Sequence, residues 1–299
     1  MELLNCRLDD ATLEGWKRHF APEVQPFFCR RRLPLPSTSR ARWLNGGEVR
    51  TALSPSVHDT FATYEVTRSA RHLLLLDEPT FSALPIDLRT QLLREQLEVG
   101  RGSVFRVTDL VDLLTPSEHA RLAGAGADGL IVWWPRLFAT LSPASQARLL
   151  SGFASEDRPP CTRHELTSGA WLNVRRVLPG VEILAGTFAS ESGPNCFGSV
   201  IEAFTAERRQ GRTEREGFQA WLGASRPAPG DASELGTVLL WRDDQDALQH
   251  AAVSLGDGYV FHKEAQTWWS PWQVVRLAAV LERWQDAGAM TSVRLGRYE

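Results

Sequence analysis

The chain has 299 residues, 43% hydrophobic and 23% charged, with 33 basic against 36 acidic residues and a net charge of −3. That composition belongs to a globular protein of about two domains, and its balance of charge excludes the electrostatic footprint of a nucleic-acid or anionic-membrane binder. Lys17 and Lys263 are the only lysines; neither follows the glycines of a GxxxxGK[ST] loop, so a P-loop ATPase is excluded too.

No run of 18 apolar residues occurs, so no membrane span is expected. Acidic Glu2, Asp9 and Asp10 stand where a signal peptide needs a basic region, and the expected compartment is the cytoplasm. Cys6, Cys29, Cys161 and Cys196 lie far apart with no CxxC pair. That spacing argues against a zinc ribbon, a redox motif or a disulfide framework, and the thiols are expected to be reduced. His58, His72, His119 and His164 lack metal-ligand spacing, so neither metal nor cofactor is expected.

In chain order, Pro26, Pro34, Pro36, Gly46, Gly47 and Pro55 mark loop and short extended pieces. Leu73–Leu76 with Asp77 and Glu78 look like the Walker B strand of an ATPase. Without a phosphate loop they read as a buried strand or helix ending in a polar turn. Leu88, Leu92, Leu93 and Leu97 fall on one helical face, as do Leu110, Leu113 and Leu114. Thr115-Pro116 and Ser142-Pro143 are helix starts, with the hydroxyl at N-cap and proline at N1. Residues 1–160 are therefore expected to form a mostly helical domain without a chemical motif. The polar, doubly proline-broken stretch from Ser155 to Cys161 marks the boundary to a second domain, 161–299.

That second domain reads as α+β. A helix is expected over Ser199–Arg209, with Val200, Ile201 and Phe204 on one face. Strands are expected at 236–242, 249–255 and 259–263. Ser270-Pro-Trp-Gln273 has the form of a capping box, opening a helix with Val274, Leu277, Ala278, Leu281 and Trp284 on one face. Trp268, Trp269 and Trp272 read mainly as core, and Asp243-Asp244-Gln245-Asp246 as a solvated turn.

Cys196 follows a turn rich in Gly, Pro and Asn, where the helix begins. A helix N-terminus favours an anion, so its dipole is expected to lower the thiol pKa and its N–H groups to suit an oxyanion. The thiol needs a base. In Gln249–Leu255 the apolar positions are Ala251, Val253 and Leu255, which puts His250 on the small, polar face. If Gly256-Asp257-Gly258 is a three-residue hairpin loop, Ala252 lies opposite His262 and the two imidazoles share a face. A two-residue loop puts them on opposite faces. Cys6, Cys29 and Cys161 have no His block beside them and receive no role.

Asn195-Cys-Phe-Gly-Ser-Val200 resembles the Asp-Cys-Ser-Gly-Phe-Val nucleophile motif of the NlpC-type cell-wall peptidases, which are papain-like cysteine peptidases and amidases. The stretch from His250 to His262 resembles that family's second block, a His, an apolar strand, a Gly-rich turn and another His. The resemblance covers roughly residues 165–299, with Asn195 in place of the usual Asp and Phe197 in place of the usual Ser. It implies a papain-like domain with a helix packed on an antiparallel sheet. Carried over by position, Cys196 is the nucleophile, His250 the general base and His262 the orienting residue, with Gln266 in reserve for that third role. A peptide or peptidoglycan-like substrate is implied. The alternatives are a catalytically inactive papain-like scaffold serving as a protein–protein interaction module, and a thiol acyltransferase.

Overall fold

The computed structural model describes residues 1–35, 41–45, 53–155, 158–209 and 211–296. It is a mixture of helices and antiparallel sheets, and the chain divides into two compact units. One comprises Glu14–Phe153; the other joins Met1–Leu13 to Ala154–Glu299.

In the Glu14–Phe153 unit, strand His72–Asp77 runs between Val24–Cys29 and Arg42–Asn45, antiparallel to both. Leu92 and Leu93 of the helix Ile86–Glu98 join Phe27, Leu74 and Leu76 in one core. This sheet was not foreseen in a domain read as mostly helical, although helices still outnumber strands among its described residues. A strand apolar on both faces shows no alternation, so its period is invisible in the sequence. Asp77 ends its strand by capping the helix Glu78–Ala83, its carboxylate accepting from Thr80 N at 2.8 Å. Thr115 and Glu118 form the capping box of Pro116–Ala125.

The expected division at 160/161 lies a few residues late, and it overlooks the opening segment. Cys161 N donates to Leu4 O at 2.8 Å, and Arg7 N donates to Gly186 O at 2.7 Å. Residues 1–13 therefore belong with the C-terminal unit.

That unit is built on a six-stranded antiparallel sheet. Its spatial order is Trp272–Arg276, Tyr259–Lys263, Leu248–Gly256, Thr237–Arg242, Ala289–Arg294 and Ala228–Pro229. On one face Val200 and Ile201 of the helix Cys196–Thr205 pack against Val238, Leu240 and Ala251. Leu239, Trp241, Ala252, Val260, Val275 and Val280 fill the other face.

Between the two long hairpin strands the turn is Asp257-Gly258, with φ of 51° and 77°. Two consecutive positive φ angles are the signature of a type I′ turn, which suits the strand twist. A two-residue loop alone would place His250 and His262 on opposite faces. An irregularity between Ser254 and Gly256 restores the register, so that Val253 pairs with Phe261 and Ser254 with Val260. Both imidazoles end on one face.

The helix expected from Ser270 is a second correction. Residues Trp272–Arg276 form a strand paired with Tyr259–Lys263, and the helix starts only at Leu277, running to Arg283. Trp272, Val274 and Val275 are buried, and a proline before a strand is as acceptable as one at a helix start. Tertiary burial decided between the two.

The helix Pro179–Leu184 approaches Cys196–Thr205 most closely at Gly180, where an added Cβ would stand 1.8 Å from Glu202 O. Gly180→Ala is therefore expected to lower the unfolding free energy by about 2 kcal/mol or more. The midpoint of urea unfolding measures it; an unchanged midpoint means the helices separate at no cost.

Candidate active site

Cys196 is the first residue of its helix, and a network of side chains fixes that helix start. The Asn195 carboxamide oxygen accepts from Gly198 N at 3.1 Å, while its amide donates to Thr213 O at 2.9 Å. Ser199 Oγ donates to Asn195 O at 2.7 Å and accepts from Trp272 Nε1 at 2.8 Å. Asn195 thus performs the capping role that the resembled motif gives to Asp. A Cβ on Gly198 would stand 2.9 Å from Thr213 Oγ1, which accounts for the glycine.

The thiol is 7% exposed. Backbone N–H groups of Ala251 and Phe197 face its sulfur and favour the thiolate, but burial outweighs them and pushes the Cys196 thiol up to about 11. The expected lowering by the helix terminus is overturned here. Partial charges of a dipole cannot replace the water that a buried anion loses.

His250 is fully buried, and its Nε2 lies 3.2 Å from His262 Nδ1. The two rings meet edge to face at 87°, centroids 5.5 Å apart. Trp284 stacks flat on His250 at 4.0 Å and 5°, and Trp241 flanks it at 5.4 Å. The remaining nitrogen, His250 Nδ1, is buried without a hydrogen-bond partner.

The structure therefore unites His250 with His262 and does not bring either to the thiol. Ala251 faces the helix, while His250, the adjacent residue, turns its ring to the opposite side. This corrects the expected thiol–imidazole hydrogen bond. Its cause is the alternation of the strand itself: the helix packs on the face of Ala251, Val238 and Leu240, and His250, one residue along, shares the other face with Ala252 and Trp241.

Gln266 does not take the third role either. Its backbone oxygen accepts from Gly193 N at 2.9 Å and its Oε1 from Arg212 Nη1 at 3.3 Å. Lys263, the neighbour of His262, is buried on the helix side, where its ammonium donates to the carbonyls of Thr267 and Ser270 and lies 5.3 Å from the Trp272 ring. Trp268 and Trp272 are core residues, as expected.

Two residues near the pair were not anticipated. Glu264, held by Arg158 at 3.0 Å and Arg283 at 2.6 Å, is the acidic group whose charge opposes the lowering of the His262 pKa. Its parity with His262 along the strand was a usable signal. Trp284 gave none, because stacking across a sheet face is a long-range fact. Among the described residues no cluster of His, Cys, Asp or Glu is suited to hold a metal. The chain matches no family model, no curated protein and no solved structure.

Burial drives His250 well below its ordinary value, with His262 adding to the effect. Burial likewise drives His262 down to about 4. The folded protein holds both rings neutral, whereas the unfolded chain takes up protons near pH 6.5. This stabilisation is complete above about pH 6.5 and is lost as the pH falls through about 4. The unfolding free energy is expected to drop by roughly 3 kcal/mol over that window on account of His262. Urea unfolding of the wild type and His262→Gln at matched pH measures it. Parallel pH dependences would show that the ring is not held neutral.

Proposed function

We propose that the unit containing Cys196 is a cysteine hydrolase of amide bonds, seen in a closed resting arrangement. The observation that carries this reading is the unpartnered, buried Nδ1 of His250. With Nε2 engaged by His262, Nδ1 is the nitrogen left to accept a proton. It belongs to the residue adjacent to Ala251, whose N–H meets the Cys196 sulfur. The pairing irregularity between Leu248 and His250 stands beside that ring, and bulges are common next to active sites.

With the ring turned to the thiol, His250 takes the Cys196 proton and the sulfur attacks the amide carbonyl carbon. The N–H groups of Cys196 and Phe197 receive the oxyanion. The imidazolium then protonates the leaving amine as the carbon–nitrogen bond breaks, and water releases the acyl group. In the resting arrangement His262 engages Nε2 of His250 through the 3.2 Å contact, which leaves Nδ1 as the proton acceptor. The resemblance to NlpC-type peptidases, and with it a papain-like architecture, supports peptide amides of the peptidoglycan-stem kind as the substrate class.

A second reading, a non-catalytic papain-like scaffold that binds a protein partner, is favoured by the raised thiol and the neutral histidines. Iodoacetamide at pH 6, followed by peptide mapping, separates the two. A hydrolase labels at Cys196 well before Cys29, and loses that preference in His250→Ala. Equal slow labelling with no hydrolysis of stem peptides supports the scaffold. For the hydrolase, Cys196→Ala and His250→Ala each lower kcat by about a thousandfold or more, the double variant being no worse than either. His262→Ala costs about ten- to a hundredfold, because it positions the base without contacting substrate.

A further inference from the structure

Cys6 and Cys161 are separated by just over half the chain, yet both are fully buried and their side chains interact. Several features hold them there. Cys161 N donates to Leu4 O at 2.8 Å, Asn5 Nδ2 donates to Cys161 O at 3.2 Å, and Val274 N donates to the Cys161 sulfur at 3.3 Å. The turn that delivers Cys6 passes through Leu4 and Asn5 with φ of 53° and 56°. A leucine takes that left-handed conformation only against a steric penalty, so the surrounding structure imposes it. Such outliers concentrate where position has a use.

The surroundings of Cys161 favour a thiolate. The Cys6 thiol, the Val274 and Arg163 N–H groups and the Arg163 guanidinium outweigh burial and lower it, while Cys6 is pushed up. One sulfur is thus suited to attack and the other to resolve, the division of labour in dithiol chemistry. The sequence neighbours of the pair line a groove of about 590 Å³, formed by Asn5, Arg7, Arg163, His164 and Trp171 together with Glu2. Arg7 and Asn5 flank Cys6 in sequence, and Arg163 lies two residues beyond Cys161. The Arg163 guanidinium is 5.5 Å from the Trp171 ring and donates to Ala185 O at 2.6 Å. Two guanidinium groups beside an aromatic wall suit a small organic anion bearing carboxylates.

We propose that Cys6 and Cys161 form a reversible dithiol–disulfide pair, oxidised by a carboxylate-bearing low-molecular-weight disulfide that enters through the Arg7–Arg163 groove. The Cys161 thiolate attacks one sulfur of that disulfide; its sulfur–sulfur bond breaks, one small thiolate leaves, and a mixed disulfide forms on Cys161. The Cys6 thiol loses its proton to the leaving thiolate and attacks the Cys161 sulfur. The second small thiolate departs and takes a proton from water. The two protein sulfurs give up two electrons, and one small disulfide becomes two thiols. Access to the buried sulfurs comes by local opening of the hairpin formed by Glu2–Leu3 and Cys6–Arg7, whose strands are two residues each.

The test uses the full chain with glutathione disulfide at neutral pH, then alkylation under denaturing conditions, intact mass and non-reducing peptide mapping. The expected result is a loss of two of the four thiols, a single cross-link between the Cys6 and Cys161 peptides, and full reversal by dithiothreitol. Cys6→Ser is expected to stop at glutathione on Cys161, and Cys161→Ser to leave Cys6 unmodified. Should either variant fail to fold, the wild-type cross-link map decides alone. Four surviving thiols, or cross-links spread over Cys29 and Cys196, overturn the pair. Arg7→Glu is expected to slow reaction with glutathione disulfide several-fold relative to the uncharged 2-hydroxyethyl disulfide. An unchanged ratio removes the groove from the proposal.

Discussion

The pairing of Leu248–Gly256 between its two neighbours is the constraint on which the rest of the C-terminal unit depends. This strand presents Ala251 to the helix carrying Cys196 and His250 to the opposite layer, and it is bulged at both ends of its pairing. One irregularity brings the two histidines to a common face; the other sets Leu248 beside Ala251 on the helix side. A sheet with one buried face tolerates no slip of register. This sheet is buried on both faces, so each bulge redistributes side chains between two equally apolar layers at modest energetic cost.

Burial governs the chemistry of every polar group near that strand. The thiol, both imidazoles and the Lys263 ammonium lie within the packed layers, and only Lys263 has its needs met by carbonyl oxygens. Neutral rings accept an apolar setting far better than charged ones, so the histidine pair persists as a neutral contact. The flat stack of Trp284 on His250 completes that shell. A thiolate–imidazolium pair in the same place would lose the hydration that both ions need. The protonation states follow from packing density, and motif spacing has no part in them.

Much of the C-terminal architecture was legible in the chain. The Gly-Pro-Asn turn before Cys196 announces a helix start, and Gly256-Asp257-Gly258 announces a hairpin. His250 and His262 stand at a spacing that a register argument turns into proximity. What escaped were features decided by distant partners. The Trp272–Arg276 strand is preceded by a serine and a proline that fit a helix start equally well, and only its pairing with Tyr259–Lys263 settles the matter. The strand around Phe27 and the one around Leu74 hide their period because both faces are covered. The alternation around His250 was legible, but the face on which the Cys196 helix packs, that of Ala251, is decided by long-range contacts.

The division of the chain also has a consequence for the order in which its units are completed. Because residues 1–13 complete the C-terminal unit, Glu14–Phe153 is a guest inserted between two stretches of a single host. The host's opening hairpin is stitched to the segment that follows the guest, through Leu4 with Cys161 and Arg7 with Gly186. The strands of the host's six-stranded sheet and the helix Cys196–Thr205 all lie outside the guest, so the chain leaves the host after its opening hairpin and returns to it with that sheet still to be built.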